Sequence, residues 1–384
     1  MRRAADLAFA RAMLPLVSRT FAPAIERLPA DLQGPVRLAY LLFRVADTIE
    51  DVPGLPGPVR AEQLVQFASL LSMPPGSAEE VGRAASALSA VSAASVLPAS
   101  VAGGETAEAR LLDGLPALLR LLDAEPPAMQ ERIRRRAIET ALGMARFVRL
   151  DAGTSAWTSL ETCAELDAYE YYVAGTVGAM LDEIFLAARA EIAAATGPQH
   201  RHQAVLLGLG LQGTNILQDV SVDRARGWSY VPEEIARRHG TTTRDLADPA
   251  RRAEASAVVQ EMAARALRHL EEGFPYILAL PARADRVRLF CLWPVLLALR
   301  TLGRLVSSPA VLTERVRIGR DEVTSLAEEA RAACRSDLRL RALFQRERDA
   351  AAAAGAGAAP GAAPGAAPAP AGASAGEPLG RVPA

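Results

Sequence analysis

The chain contains no lysine, so its 43 basic residues are all arginine. Any protein cation that grips an anion here is therefore a planar guanidinium suited to two-point contact. Cysteine is scarce: Cys163, Cys291 and Cys334 are odd in number, widely separated and without CxxC spacing. They exclude a disulfide framework and a cysteine zinc site, and fit a reducing compartment. The four histidines, His200, His202, His239 and His269, form no HExxH or similar cluster, which argues against imidazole metal chemistry. Charge of one sign is lacking too. A net charge of −1 provides no broad field for nucleic acid or an anionic membrane, and neither is expected as a partner. No uninterrupted apolar run of about 18 residues occurs, so no transmembrane segment is expected. Asp6 and Arg11 break the apolar start, which also lacks a small-residue cleavage pattern, so export is not expected and a cytoplasmic location is.

What the chain does have is apolar bulk without many rings. Half of its 384 residues are hydrophobic and only 5% aromatic, enough for a large core of Ala, Leu and Val. Apolar positions recur at three- and four-residue spacing in "AMQERIRRRAIETALGMARFVRL", in the long stretch from Ser159 to Ala195, and in "RADRVRLFCLWPVLLALRTLGRL". Thr158 with Glu161 reads as a capping box opening the second of these. Strand-like alternation is absent. The fold class expected is all-α, one domain over residues 1–349. Residues 71–105, poor in large apolar side chains, read as loops and short helices. Residues 350–384, rich in Ala, Pro and Gly with nothing to bury, read as a disordered tail.

Against this apolar background, "RVADTIEDV" sets Asp47, Glu50 and Asp51 close together, with Arg44 one turn earlier. Such crowding costs energy unless a cation is shared. A second acidic stripe occurs in "TNILQDVSVD", where Asn215, Asp219 and Asp223 are spaced four and four and fall on one helical face. Hard divalent cations such as Mg²⁺ take oxygen ligands and commonly bridge one or two carboxylates to substrate phosphates. A single Asp pair four apart is an ordinary solvated face. Two such pairs, each inside Leu- and Val-rich helix, point to a shared Mg²⁺–phosphate site in an all-α enzyme.

Five ordered stretches carry a family resemblance: "SRTF" at 18–21, "RVADTIEDV" at 44–52, "YEYYVAGTVG" at 169–178, "TNILQDVSVD" at 214–223 and "RLFCLWPVLLALRTL" at 288–302. Over most of residues 10–310 the chain resembles the squalene and phytoene synthases, the head-to-head prenyl transferases. The resemblance implies an isoprenoid-synthase helical fold, with the two acidic motifs facing each other over a central cavity. It implies that Asp47, Glu50 and Asp51, with Asn215, Asp219 and Asp223, hold Mg²⁺ on the diphosphate of farnesyl diphosphate. It implies that Ser18, Arg19 and Arg44 contact diphosphate oxygens, and that Tyr169 lies near the reacting carbons as a proton relay. The bland alternative for Ser18 is a helix cap; for Tyr169, a core tyrosine; for Gly175 and Gly178, helix packing.

One departure stands out. Many relatives carry arginine five residues past the last aspartate, where this chain has Trp228, so Arg226 is the substitute expected to contact diphosphate. Phe290, Cys291 and Pro294, followed by Thr301-Leu302, resemble the late helix of squalene synthases, which implies an NADPH-dependent second half-reaction with these three residues on the NADPH side. The resemblance thus implies a squalene-forming enzyme, a monomer of bacterial type touching membrane at most peripherally to release its product. Phytoene synthase, presqualene diphosphate synthase, a terpene cyclase and a non-catalytic assembly factor remain as alternatives.

Overall fold

The computed structural model describes residues 2–18, 21–52, 54–73, 106–151, 157–308 and 310–357. Arg19, most of the 71–105 segment and residues 358–384 lie outside these.

The apolar periodicity resolves into helices throughout. The first half runs α1 (Arg2–Val17), α2 (Phe21–Arg27), α3 (Ala30–Glu50), α4 (Gly57–Ser72), α5 (Ala107–Asp113), α6 (Leu115–Asp123) and α7 (Pro127–Val148). Next come α8 (Cys163–Glu170), α9 (Thr176–Ala188), α10 (Ala190–Ala193), α11 (His200–Ala225), α12 (Glu233–Arg238) and α13 (Arg252–Gly273). The chain closes with α14 (Pro275–Ala279), α15 (Asp285–Ser307), α16 (Arg320–Ala333) and α17 (Asp337–Gly357). The expected all-α fold class is what the structure has.

Three details depart from the sequence reading. The capping box is formed by Thr162 and Glu165, one turn later than Thr158 and Glu161. Thr158 is taken up elsewhere: β1 (Thr158–Ser159) pairs in parallel with β2 (Trp228–Ser229), the only strands among the described residues. The long stretch from Ser159 is also not one helix. A π-helical turn, Tyr171–Gly175, separates α8 from α9, as happens often beside functional sites. Third, the last helix continues to Gly357, past the expected boundary at 350. An alanine run is a good helix former, and Ala351 is buried against Gly303 of α15.

α11 runs through the middle, packed on α9, α13 and α15. Glycine allows its closest crossing. A Cβ at Gly178 would lie 2.1 Å from the Ala204 carbonyl oxygen, and one at Gly208 would lie 2.3 Å from that of Ala174. Gly178 therefore serves helix packing. α15 has the length and hydropathy of a membrane span, a property the search for an uninterrupted apolar run did not register. Here 56% of its most apolar window is buried inside the protein, and Pro294 interrupts its hydrogen-bond ladder at mid-length.

Glu170, at the α8–π junction, is buried, and its carboxyl is pushed well above the usual range by burial, with Arg265 opposing. Its folded-state pKa exceeds the unfolded value of about 4.3. Stability therefore falls as pH rises above that unfolded value, because folding must then keep or pick up a proton. Urea unfolding at pH 5 and pH 8 should show Glu170→Gln losing less stability across this interval than wild type. A second expectation concerns packing: Gly178→Ala should cost about 1–3 kcal/mol or more from the backbone clash. Gly303→Ala, whose Cβ meets only Ala351 at 3.4 Å, should be neutral or stabilising by up to about 1 kcal/mol.

Candidate active site

Asp47 lies in the last turn of α3 and Asp51 caps it, the Asp51 N–H donating to the Asp47 carbonyl at 2.9 Å. Asp219 and Asp223 lie in the last two turns of α11. Helix C-termini carry partial negative charge, so four carboxylates gathered there are doubly disfavoured. The motifs nevertheless meet. Arg226, the residue capping α11, donates to Asp51 Oδ1 at 3.1 Å, tying the end of one helix to the end of the other.

Each of three aspartates is held by one guanidinium. Arg44 Nη1 donates to Asp47 Oδ2 at 2.7 Å, Arg226 pairs with Asp51, and Arg315 Nε stands 2.6 Å from Asp219 Oδ1. Asp223 has no guanidinium in ion-pair contact among the described residues. Its carboxyl is pushed up to about 7, first by burial and then by the charges of Asp219 and Asp51. Asp219 is raised as well, by burial and against Arg315. The same charge from α3 is thus felt by both aspartates of α11. An acidic site this crowded fits a hard divalent cation, and Asp47, Asp51, Asp219 and Asp223 would be the residues to hold it. With the carboxylates turned to arginines, no three acidic, imidazole or thiolate groups form a ready-made metal cage among the described residues.

Glu50 was expected beside them but faces the other way. It is 6% exposed, its carboxyl raised well above the usual range by burial and by Asp51 and Asp47, and its neighbour is Tyr169, whose hydroxyl lies 3.5 Å from Oε1. One residue before Asp51 and three after Asp47, it falls on the inner flank of α3.

Tyr169 itself is 4% exposed, stacked on Tyr230 at 4.3 Å and edge-on to Phe147 at 5.4 Å. The β1–β2 pairing brings these tyrosines together, because it fixes the segment ahead of α8 to the segment after α11. Tyr169 lies behind the acidic pair, connected to it through Glu50.

Two cavities adjoin the motifs. The smaller, about 310 Å³, has Arg44, Asp47 and Asn215 at its polar end and Val173, Val177 and Leu181 along its apolar wall. The larger, about 670 Å³, lies between α2, α11, α15 and α16 and carries Arg27, Arg286, Arg317 and Arg331. Phe21, Leu211, Asn215, Phe290 and Pro294 border both. Phe290 and Pro294 thus form the partition, while Cys291 faces the smaller cavity beside Tyr276. Ser18 does not reach the acidic residues by hydrogen bond: its Oγ accepts from Phe21 N–H at 3.0 Å and caps α2.

Some site residues had no sequence signal. Arg315 and Arg317 lie in an irregular stretch, residues 310–319, where no periodicity assigns a face. Gln218, named only as a polar companion, donates to the Val316 carbonyl at 3.1 Å and fastens that stretch to α11. Trp228 is buried in β2 against Tyr230 and supplies no cation, and Arg224 turns away to the Thr243 carbonyl.

The squalene/phytoene synthase family model matches residues 14–322. Squalene synthase BSS of Botryococcus braunii is 28% identical over 311 residues, covering 80% of this chain and 60% of its own length. The squalene synthase of Cyberlindnera jadinii is 26% identical over 324 residues, covering 83% and 66%. The chain thus spans about 60–66% of the length of these relatives. Among solved structures, TcSQS in complex with BPH1237 superposes with a TM-score of 0.68 at 23% identity, over 92% of this chain and 99% of that one. A dehydrosqualene synthase in complex with ligand superposes at 0.57 and 20% identity, over 86% and 96%. These likenesses establish the isoprenoid-synthase helical fold. Four-fifths of the chain matches the family model, and the chain belongs to the squalene/phytoene synthase family.

Proposed function

We propose that the protein condenses two farnesyl diphosphates head to head, by way of presqualene diphosphate, to squalene, with Mg²⁺ and NADPH. The observation that carries this reading is the meeting of Asp47 and Asp51 with Asp219 and Asp223, joined by the Arg226–Asp51 contact, with Asp47 and Asn215 bordering an apolar cavity.

Breaking an allylic C–O bond leaves negative charge on the diphosphate and positive charge on carbon. Mg²⁺ on the four aspartates would supply Lewis-acid stabilisation of the first. Arg44 and Arg226 are placed to turn from their aspartates to diphosphate oxygens, trading one anionic partner for another. Val173, Val177 and Leu181 offer the carbocation no nucleophile and keep water out. Tyr169 and Glu50, both buried and both pushed upward by burial, form a polar pair behind the acidic motif that can position a proton near it. NADPH would supply hydride, and the larger cavity fits such a polyanion: Arg286, Arg317 and Arg331 make no ion pair with a carboxylate among the described residues, and Trp293 adds an aromatic wall. Phe290 and Pro294 would stand between that reductant and the smaller cavity. A cytoplasmic monomer, in peripheral contact with membrane for product release, completes the reading.

Incubation with Mg²⁺, farnesyl diphosphate and NADPH should yield squalene, and omission of NADPH should leave presqualene diphosphate or alcohols derived from it. Phytoene from a C20 substrate with no turnover of the C15 substrate would overturn the product assignment. Asp219→Ala or Asp51→Ala should lower the first half-reaction by about 10³-fold or more, on the scale of removing a preorganised charge-stabilising group. Circular dichroism should remain that of wild type, since both side chains are partly exposed. Wild-type rates in either variant would remove these residues from the site.

A further inference from the structure

Residues 310–319 cross the end of α11 as a strap fixed at two points. Gln218 Nε2 donates to the Val316 carbonyl at 3.1 Å. Arg315 Nη2 donates to Asp219 Oδ2 at 3.1 Å, and its Nε stands 2.6 Å from Oδ1 as an ion-pair contact without a hydrogen bond. A guanidinium this close to both carboxylate oxygens occupies the space a metal would use. Both side chains stay partly exposed, at 43% and 34%, so the contact is weak enough to exchange. Trp228 is buried and Arg224 is committed to the Thr243 carbonyl, so neither reaches Asp219.

We propose that Arg315 is an exchangeable counter-ion. It neutralises Asp219 while the site holds no metal, and it transfers to the diphosphate when Asp219 is given up to a divalent cation. The proposal rests on the magnesium–diphosphate reading above. Its physical basis is charge: a dication arriving at Asp219 and Asp223 repels the guanidinium, and a diphosphate beside it offers that guanidinium a new anionic partner. Val316 remains tied to Gln218, so only the side chain has to move. Arg317, the next but one along the strap, borders the larger cavity.

The test measures binding without turnover on full-length protein: Mn²⁺ alone by electron paramagnetic resonance, and inorganic pyrophosphate with Mg²⁺ by calorimetry. Arg315→Ala should bind Mn²⁺ alone about two- to fivefold more tightly, the worth of an exposed ion pair removed as a competitor. The same variant should bind pyrophosphate about tenfold more weakly, having lost a charged hydrogen bond. Arg315→Lys, keeping the charge without the fork, should bind Mn²⁺ as wild type does and recover part of the pyrophosphate affinity. Unchanged or weaker Mn²⁺ binding in Arg315→Ala would overturn the counter-ion role. Tighter Mn²⁺ with unchanged pyrophosphate would overturn the transfer. Wild-type protein that binds neither Mn²⁺ nor pyrophosphate would defeat the underlying reading, and the proposal with it.

Discussion

Four aspartates at the ends of two helices repel one another, and the geometry of the site follows from how that repulsion is met. Two unit charges a few ångströms apart near a protein surface cost several kcal/mol, and the C-terminal dipoles of α3 and α11 add to the cost. Apolar packing brings the two helix ends near each other regardless, because α3 and α11 both pack on α9 and the glycine crossings let α11 approach it closely. The free energy of that packing forces the carboxylates into proximity. Arginine relieves it at three of the four. The fourth, Asp223, keeps the strain as a carboxyl raised to about 7. A site arranged this way has its affinity for cations built in before any substrate arrives.

Carboxylate and guanidinium are gathered at one edge. Away from Asp47 the smaller cavity is lined mostly by aliphatic and aromatic side chains, with Tyr276 and Cys291 at its far side, and Phe290 and Pro294 border both it and an arginine-rimmed neighbour. A charged edge beside an apolar interior is the division an allylic ionisation needs: charge stabilised at the leaving group and few nucleophiles near the cation. The β1–β2 pairing, though only two residues long, fixes Tyr230 against Tyr169 and so sets the aromatic layer behind Glu50.

Residues whose role follows from periodicity were legible in the sequence. Four-residue spacing puts Asp47 with Asp51, and Asp219 with Asp223, on single helical faces, and the structure keeps both pairs at helix ends. Direction was harder. Glu50 shares the motif but turns inward, because a one-residue step rotates a side chain about 100° round a helix. Ser18 could be read as a cap or as a phosphate contact, and its Oγ caps α2, which leaves the phosphate reading standing. Thr158 had the spacing of a capping box, yet strand pairing with Trp228 claimed it, a long-range contact that no local pattern encodes. Arg315 had no signal at all, since the strap has no period and its partner lies 96 residues away.

The central claim is that the two acidic motifs act as one charge centre. A double-mutant cycle on Mg²⁺-dependent pyrophosphate binding tests it, using Asp51→Asn, Asp219→Asn and the pair together. Motifs that share one ligand lose nearly all binding in either single variant, and the double variant loses no more. Partial losses that simply add would mean two independent anionic patches and would contradict the account.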